Sequence, residues 1–170
     1  RLHKNYFSVS KTSIWEQTKS IVVVWSYQDE QQMRSFVKAI DHFLQQKKFA
    51  QTLIIVNVPK DLDKKNLPPH FLIYYNSPAD YSMFGKLKDI QLDAELHKSY
   101  DLLIWNGSLD VKIYGALQST KISKRLLLNA EGKNFDLQID TAQTDAHAQL
   151  QYIQQTLERI AQWNHLKARV

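Results

Sequence analysis

Tyr100-Asp101-Leu102-Leu103-Ile104-Trp105-Asn106-Gly107-Ser108 reads as a short buried strand running straight into a turn. Four consecutive apolar side chains, Leu102 to Trp105, suit a strand covered on both faces, as in a parallel sheet. Asn106-Gly107 breaks the strand, and Ser108 followed by Asp110 suits a helix N-terminus, which predicts a helix from Ser108 to about Thr120. Open α/β sheets bind ligands at this kind of strand end.

Working outward, Ile21-Val22-Val23-Val24-Trp25 is a second buried strand, rich in β-branched residues. Met33, Phe36, Val37, Ile40, Phe43 and Leu44 then recur at the spacing of one helical face. That helix ends near Gln46, where Lys47 and Lys48 suit its dipole. Residues 52–58 form the next strand, stopped by Pro59, and this strand–helix–strand order is a right-handed crossover by default. A lysine-bearing loop over 60–69 leads to a short strand over 71–75. A compact aromatic–glycine–lysine loop spans 81–88, and a short helix follows over 89–99. Two further short strands are expected at 125–128 and 135–140, separated by the turn at Gly132. Leu150, Ile153, Leu157 and Ile160 form one apolar stripe of a final helix, about 145–163, packed on the sheet.

The 170 residues suffice for one domain with a real core. An apolar content of 44% belongs to a globular chain rather than a disordered one. Cysteine is absent, which removes disulfides, thiolate nucleophiles and sulfur-ligated zinc. No apolar run approaches the roughly 20 residues of a membrane helix, and no signal-peptide pattern is present. Cytoplasmic placement is therefore expected, with membrane contact only through a segment upstream of Arg1. The net charge of +5 and pI near 9.3 favour acidic partners.

The familiar chemistries are missing. The turn Ser26-Tyr27-Gln28-Asp29-Glu30 lacks glycine and carries two carboxylates, which repel a phosphate. Neither Gly85-Lys86 nor Gly132-Lys133 is followed by Ser or Thr, so no Walker loop exists. The histidines at 3, 42, 70, 97, 147 and 165 form no pair at ligand spacing, and no metal or cofactor is expected. Ser108 lacks the G-x-S-x-G setting of a nucleophile and reads as an N-cap. Asp136 and Asp140 share a strand face but read as solvated. In the Met83-Phe84-Gly85-Lys86 loop, backbone N–H groups and ammonium groups suit anion capture. The bland alternative has Phe84 plugging the core, Gly85 supplying a positive φ, and Lys86 and Lys88 facing water.

Those motifs carry a resemblance. Met83-Phe84-Gly85-Lys86, Tyr100-Asp101-Leu102-Leu103-Ile104, the Ala- and Ser-Lys-bearing stretch 116–124 and Phe135-Asp136-Leu137-Gln138-Ile139 resemble a small bacterial family, a domain of unknown function. The likeness covers most of the chain, with Met83 standing where the family commonly has tryptophan. It implies no activity that transfers to this chain. More distantly, the layout resembles the N-terminal half of two-domain glycosyltransferases, in which the other half holds most of the sugar nucleotide.

The expected architecture is a single three-layer, Rossmann-like α/β domain over 21–170, preceded by an irregular basic arm over 1–20. Its sheet is mostly parallel, with about five strands and the strands at 21–25 and 100–105 adjacent at the centre. The favoured function is a non-enzymatic interaction module engaging RNA or a ribonucleoprotein. Contact would run through the arm and the basic loops, with Lys64, Lys65, Lys86 and Lys88 as contact residues. A second expectation is a small-ligand protein or enzyme binding a nucleotide-sugar-like molecule. There Tyr27, Gln28, Asn76, Phe84, Gly85, Asn106 and Ser108 would converge at the strand ends. A third is a structural subunit contacting other proteins.

Overall fold

The computed structural model describes residues 12–160. Six strands form one sheet in the order β3-β2-β1-β4-β5-β6, and every neighbouring pair is parallel. They are β1 Ser20–Ser26, β2 Gln51–Asn57, β3 Ile73–Asn76, β4 Ser99–Asn106, β5 Lys121–Leu128 and β6 Leu137–Ile139. The helices are α1 Ile14–Gln17, α2 Glu30–Gln45, α3 Ile90–Leu96, α4 Lys112–Ser119 and α5 Ala146–Arg159. This is the Rossmann-like layout, with one strand more than the apolar runs suggested. β1 and β4 lie side by side, Val22 opposite Leu103 and Val24 opposite Trp105.

Alternation along the strands builds two cores. Ile21, Val23, Ile54, Val56, Leu102, Ile104, Leu126 and Leu128 point to the layer of α1, α2 and α5. Val22, Val24, Leu53, Ile55, Leu103, Trp105 and Leu127 point to α3 and α4. Both faces are therefore dry, which is why these strands read as continuous apolar runs. Leu150, Ile153 and Leu157 of α5 are buried in the first core, as their stripe predicts.

Several local expectations are corrected. Residues 12–20 are not an irregular arm. Ser13 caps α1 by accepting from the Glu16 N–H, Trp15 is buried against Phe43 and Phe49, and β1 already begins at Ser20. The rest of the expected basic arm, with Arg1, His3, Lys4 and Lys11, lies outside the described residues, as do positions 161–163 of the expected last helix, and α5 ends at Arg159. The third strand starts at Ile73, because Phe71 is 93% exposed and stacks on His70 instead of entering the core. Ser108 is not a helix cap. α4 begins at Lys112 with Val111 at the N-cap position, while the Ser108 hydroxyl accepts from the Asp110 N–H in a local turn. Asp136 is not simply solvated, since its carboxylate accepts from the Arg125 N–H at 2.9 Å and fixes β6 beside β5. Asp140 is exposed.

Candidate functional site

Reversal of strand order between β1 and β4 leaves a gap at the C-terminal ends of the strands, where successive connections diverge to opposite faces. A cleft of about 620 Å³ occupies this end. It is built from Tyr27 after β1, Asn57 closing β2, Asn76 closing β3, Tyr81 beyond a short 3-10 turn, and Asp110 with Lys112 at the start of α4. Asn57 and Asn76 are register partners, so two carboxamides stand side by side on adjacent strand ends.

The walls are fixed by local chemistry. Ser77 and Asp80 cap the turn Pro78–Asp80 reciprocally, a capping box that holds the chain leaving β3. Tyr81 is buried, and its hydroxyl donates to Asn76 Oδ1 at 2.8 Å. The Lys112 ammonium lies 5.3 Å from the centre of the Tyr81 ring, a cation–π contact across the cleft wall. The side-chain nitrogen of Asn57 is buried and has no hydrogen-bond partner among the described residues. An unsatisfied donor of this kind is destabilising unless something completes it.

Charge differs between the two helix N-termini near the strand ends. Asp29 closes α2 by accepting from the Gln32 N–H at 2.7 Å, and Glu30 pairs with Arg34. That end repels an anion. Val111 gives α4 no side-chain cap, so the first-turn N–H groups of α4 and the Lys112 ammonium make the opposite wall positive. Among the described residues, Asp110 is the single carboxylate in the lining and no histidine lines it.

Burial pushes the Tyr81 phenol up to about 12, with the Asp80 carboxylate adding to the rise. Burial pushes Tyr100, which donates to the Glu95 carbonyl at 2.8 Å, to about 12 as well. Both phenols stay neutral in the folded chain above the pH where free tyrosine ionises. The stability they carry is complete below pH 10 and is lost as pH rises through about 12. Tyr81→Phe is therefore expected to flatten the fall in unfolding free energy over that window. Parallel urea titrations of the two proteins at alkaline pH check this.

Of the residues expected to converge, the structure brings together Tyr27 and Asn76. Gln28 lies instead beside Trp25, Phe36 and Gln149. The Asn106 side chain donates to Gln149 of α5 at 3.3 Å, on the other face. Ser108 is exposed outside the lining. Phe84 is 96% exposed and plugs nothing, while Gly85 does take a positive φ, +78°. Lys64 pairs with Asp80 at 2.5 Å, Lys88 reaches the Ala79 carbonyl at 3.4 Å, and Lys65 and Lys86 are exposed. The two basic loops thus meet at one turn.

Asn57, Tyr81, Asp110 and Lys112 were not singled out by sequence. The repeated pattern of an apolar run ending in Asn, at 57 and again at 76, was the available signal.

The histidines pair in ways spacing does not reveal. His70 bonds Asp41 at 2.6 Å, and His42 meets His147 with ring centres 4.9 Å apart across α2 and α5. Among the described residues no group of three or more side chains could hold a metal, and no helix is long and apolar enough to cross a membrane. Comparison with protein-family models, with curated proteins and with solved structures finds no match to this chain, and the resemblances drawn from its motifs gain no support there.

Proposed function

We propose that this protein binds a small polar ligand of the nucleotide-sugar type in the cleft at the C-terminal ends of β1 to β4. The observation that carries the reading is the Asn57–Asn76 pair on two adjacent strand ends, in a cleft whose lining also holds Lys112, the uncapped start of α4 and Asp110. Carboxamides and a carboxylate suit hydroxyl groups, an ammonium and helix N–H groups suit an anionic group, and Tyr27 and Tyr81 offer ring surface. One carboxylate and one ammonium without a histidine suit holding a ligand rather than proton relay.

The test is a thermal-shift screen of nucleotide sugars, nucleotides and free sugars, followed by calorimetry on any that stabilise the chain. A ligand that raises Tm should lose at least about tenfold in affinity with Asn57→Leu, where a desolvated amide contact is removed. A screen in which none of these classes raises Tm overturns the reading.

A second reading keeps RNA or a ribonucleoprotein as partner. It draws on the meeting of the two basic loops at the turn Pro78–Asp80, through Lys64 and Lys88. Single-stranded RNA binding that falls steeply with salt, and that is lost when Lys64, Lys65, Lys86 and Lys88 are reversed together, would support it. Affinity unchanged by that reversal would remove it.

A further inference from the structure

Two of the most exposed apolar side chains sit next to each other. Met83 is 98% and Phe84 96% exposed, at the tip of a tight hairpin loop that is anything but slack. Tyr81 pairs with Leu87 in an antiparallel bridge. Ser82 N–H donates to the Lys86 carbonyl at 2.8 Å, and Gly85 N–H donates to the Ser82 carbonyl at 2.9 Å. The Ser82 hydroxyl accepts from the Lys86 N–H at 3.1 Å, and Lys88 N–H closes the base on the Asp80 carbonyl at 2.8 Å. With Gly85 at φ +78°, this is the three-residue hairpin loop in which a turn is followed by a left-handed glycine. The central positions of such loops normally carry polar residues. Here they hold methionine and phenylalanine, held out in water by a turn that leaves them nowhere to fold back.

Within the loop the charge has one sign. Residues 81–88 carry Lys86 and Lys88 and no carboxylate. The flanking acids are engaged locally, Asp80 by Lys64 and the Ser77 N–H, and Asp89 by the Leu92 N–H at the start of α3. Lys86 and Lys65 make no ion pair among the described residues. A two-residue tip is far too small for a stable protein interface, which takes about 800 Å² from each partner. A lipid surface sets no such minimum: an apolar tip enters the headgroup–acyl boundary while lysines stay at anionic headgroups.

We infer that the hairpin tip Met83-Phe84, flanked by Lys86 and Lys88, is a reversible docking point for an anionic lipid bilayer. Because Tyr81 is both the base of this hairpin and a wall of the cleft, docking would bring the cleft to the membrane surface. No segment outside the described residues is needed.

The test is co-sedimentation of the full chain with vesicles of phosphatidylcholine mixed with phosphatidylserine, against vesicles of phosphatidylcholine alone. Binding to the mixed vesicles at low salt, weakening as salt rises, is expected. Met83→Ser combined with Phe84→Ser should lower partitioning at least about tenfold, from the loss of two buried apolar side chains. Lys86→Gln and Lys88→Gln should each lower it about fivefold. Neither pair touches the core, so melting temperatures should not move. Absence of binding at low salt overturns the proposal, and so does binding that the double serine variant leaves unchanged. Self-association of the parent chain that the serine variant abolishes, without vesicle binding, assigns the tip to a second copy and also overturns it.

Discussion

Gly107→Ala is expected to lower the free energy of unfolding by about 3 kcal/mol, combining backbone strain with overpacking. Gly107 adopts φ +127°, a conformation that side-chain-bearing residues rarely adopt. A Cβ there would lie 1.9 Å from Ser26 Oγ and 2.8 Å from Ser26 Cβ. The serine hydroxyl can rotate away, but its Cβ cannot without moving the end of β1. Since Ser26 closes β1 and Gly107 follows β4, the added methyl pushes apart the two strands that the cleft straddles. Urea unfolding measures the loss. Adding Ser26→Gly should recover the steric part and leave the conformational part. A loss below about 1 kcal/mol, within the range of an ordinary tolerated substitution, would show that the β4 turn yields easily.

Trp105→Ala is expected to be the most damaging single change to the core, at about 3–5 kcal/mol. Trp105 is the largest fully buried side chain among the described residues, and packs edge-on to Tyr114 of α4 with ring centres 5.4 Å apart. Its indole N–H donates to the Gly107 carbonyl at 3.2 Å, so the same side chain also ties down the turn after β4. Removing it opens a large void against the core formed with Ile113 and Leu117. For a chain of this size a loss of that order corresponds to roughly 10 °C in Tm. Trp105→Phe keeps most of the volume and loses only the N–H contact, so it should fall well short of the alanine variant. Equal losses in the two variants would mean that the hydrogen bond, rather than packing, dominates.

The reach of sequence reading follows the strength of each physical signal. β1, β2 and β4 are covered on both faces and so appear as unbroken apolar runs. α2 and α5 show their buried stripes because each presents one face to the sheet. β5 was placed only by Leu126, Leu127 and Leu128, since its first half, Lys121 to Arg125, alternates exposed and half-buried residues. β6 has three residues and no fully buried one, too little pattern to mark its bounds. At Ser108 the expected N-cap was wrong: its hydroxyl serves a local turn rather than a helix start, because Ser and Asp suit both. The cleft was legible only in part. Its residues come from four separate strand ends, and their convergence depends on the strand order rather than on any local spacing. Tyr27 and Asn76 stood beside recognisable strands, whereas Asp110 and Lys112 were hidden by placing the helix start too early. The His42–His147 contact was invisible for the same reason, being made between elements far apart in the chain.

The backbone bond from the Ile14 N–H to the Ile160 carbonyl, at 2.8 Å, has a practical meaning for the molecule as an object. Ile14 precedes the start of β1, and Ile160 follows the end of α5, so both lie at the pole where the parallel strands begin. The cleft and the Met83-Phe84 tip lie at the pole where they finish. The two ends of the described unit therefore share one doorway at its back. A bead, a dye or a fused partner attached at residue 12 or residue 160 holds the described unit from behind, and leaves the end with the cleft and the tip pointing outward.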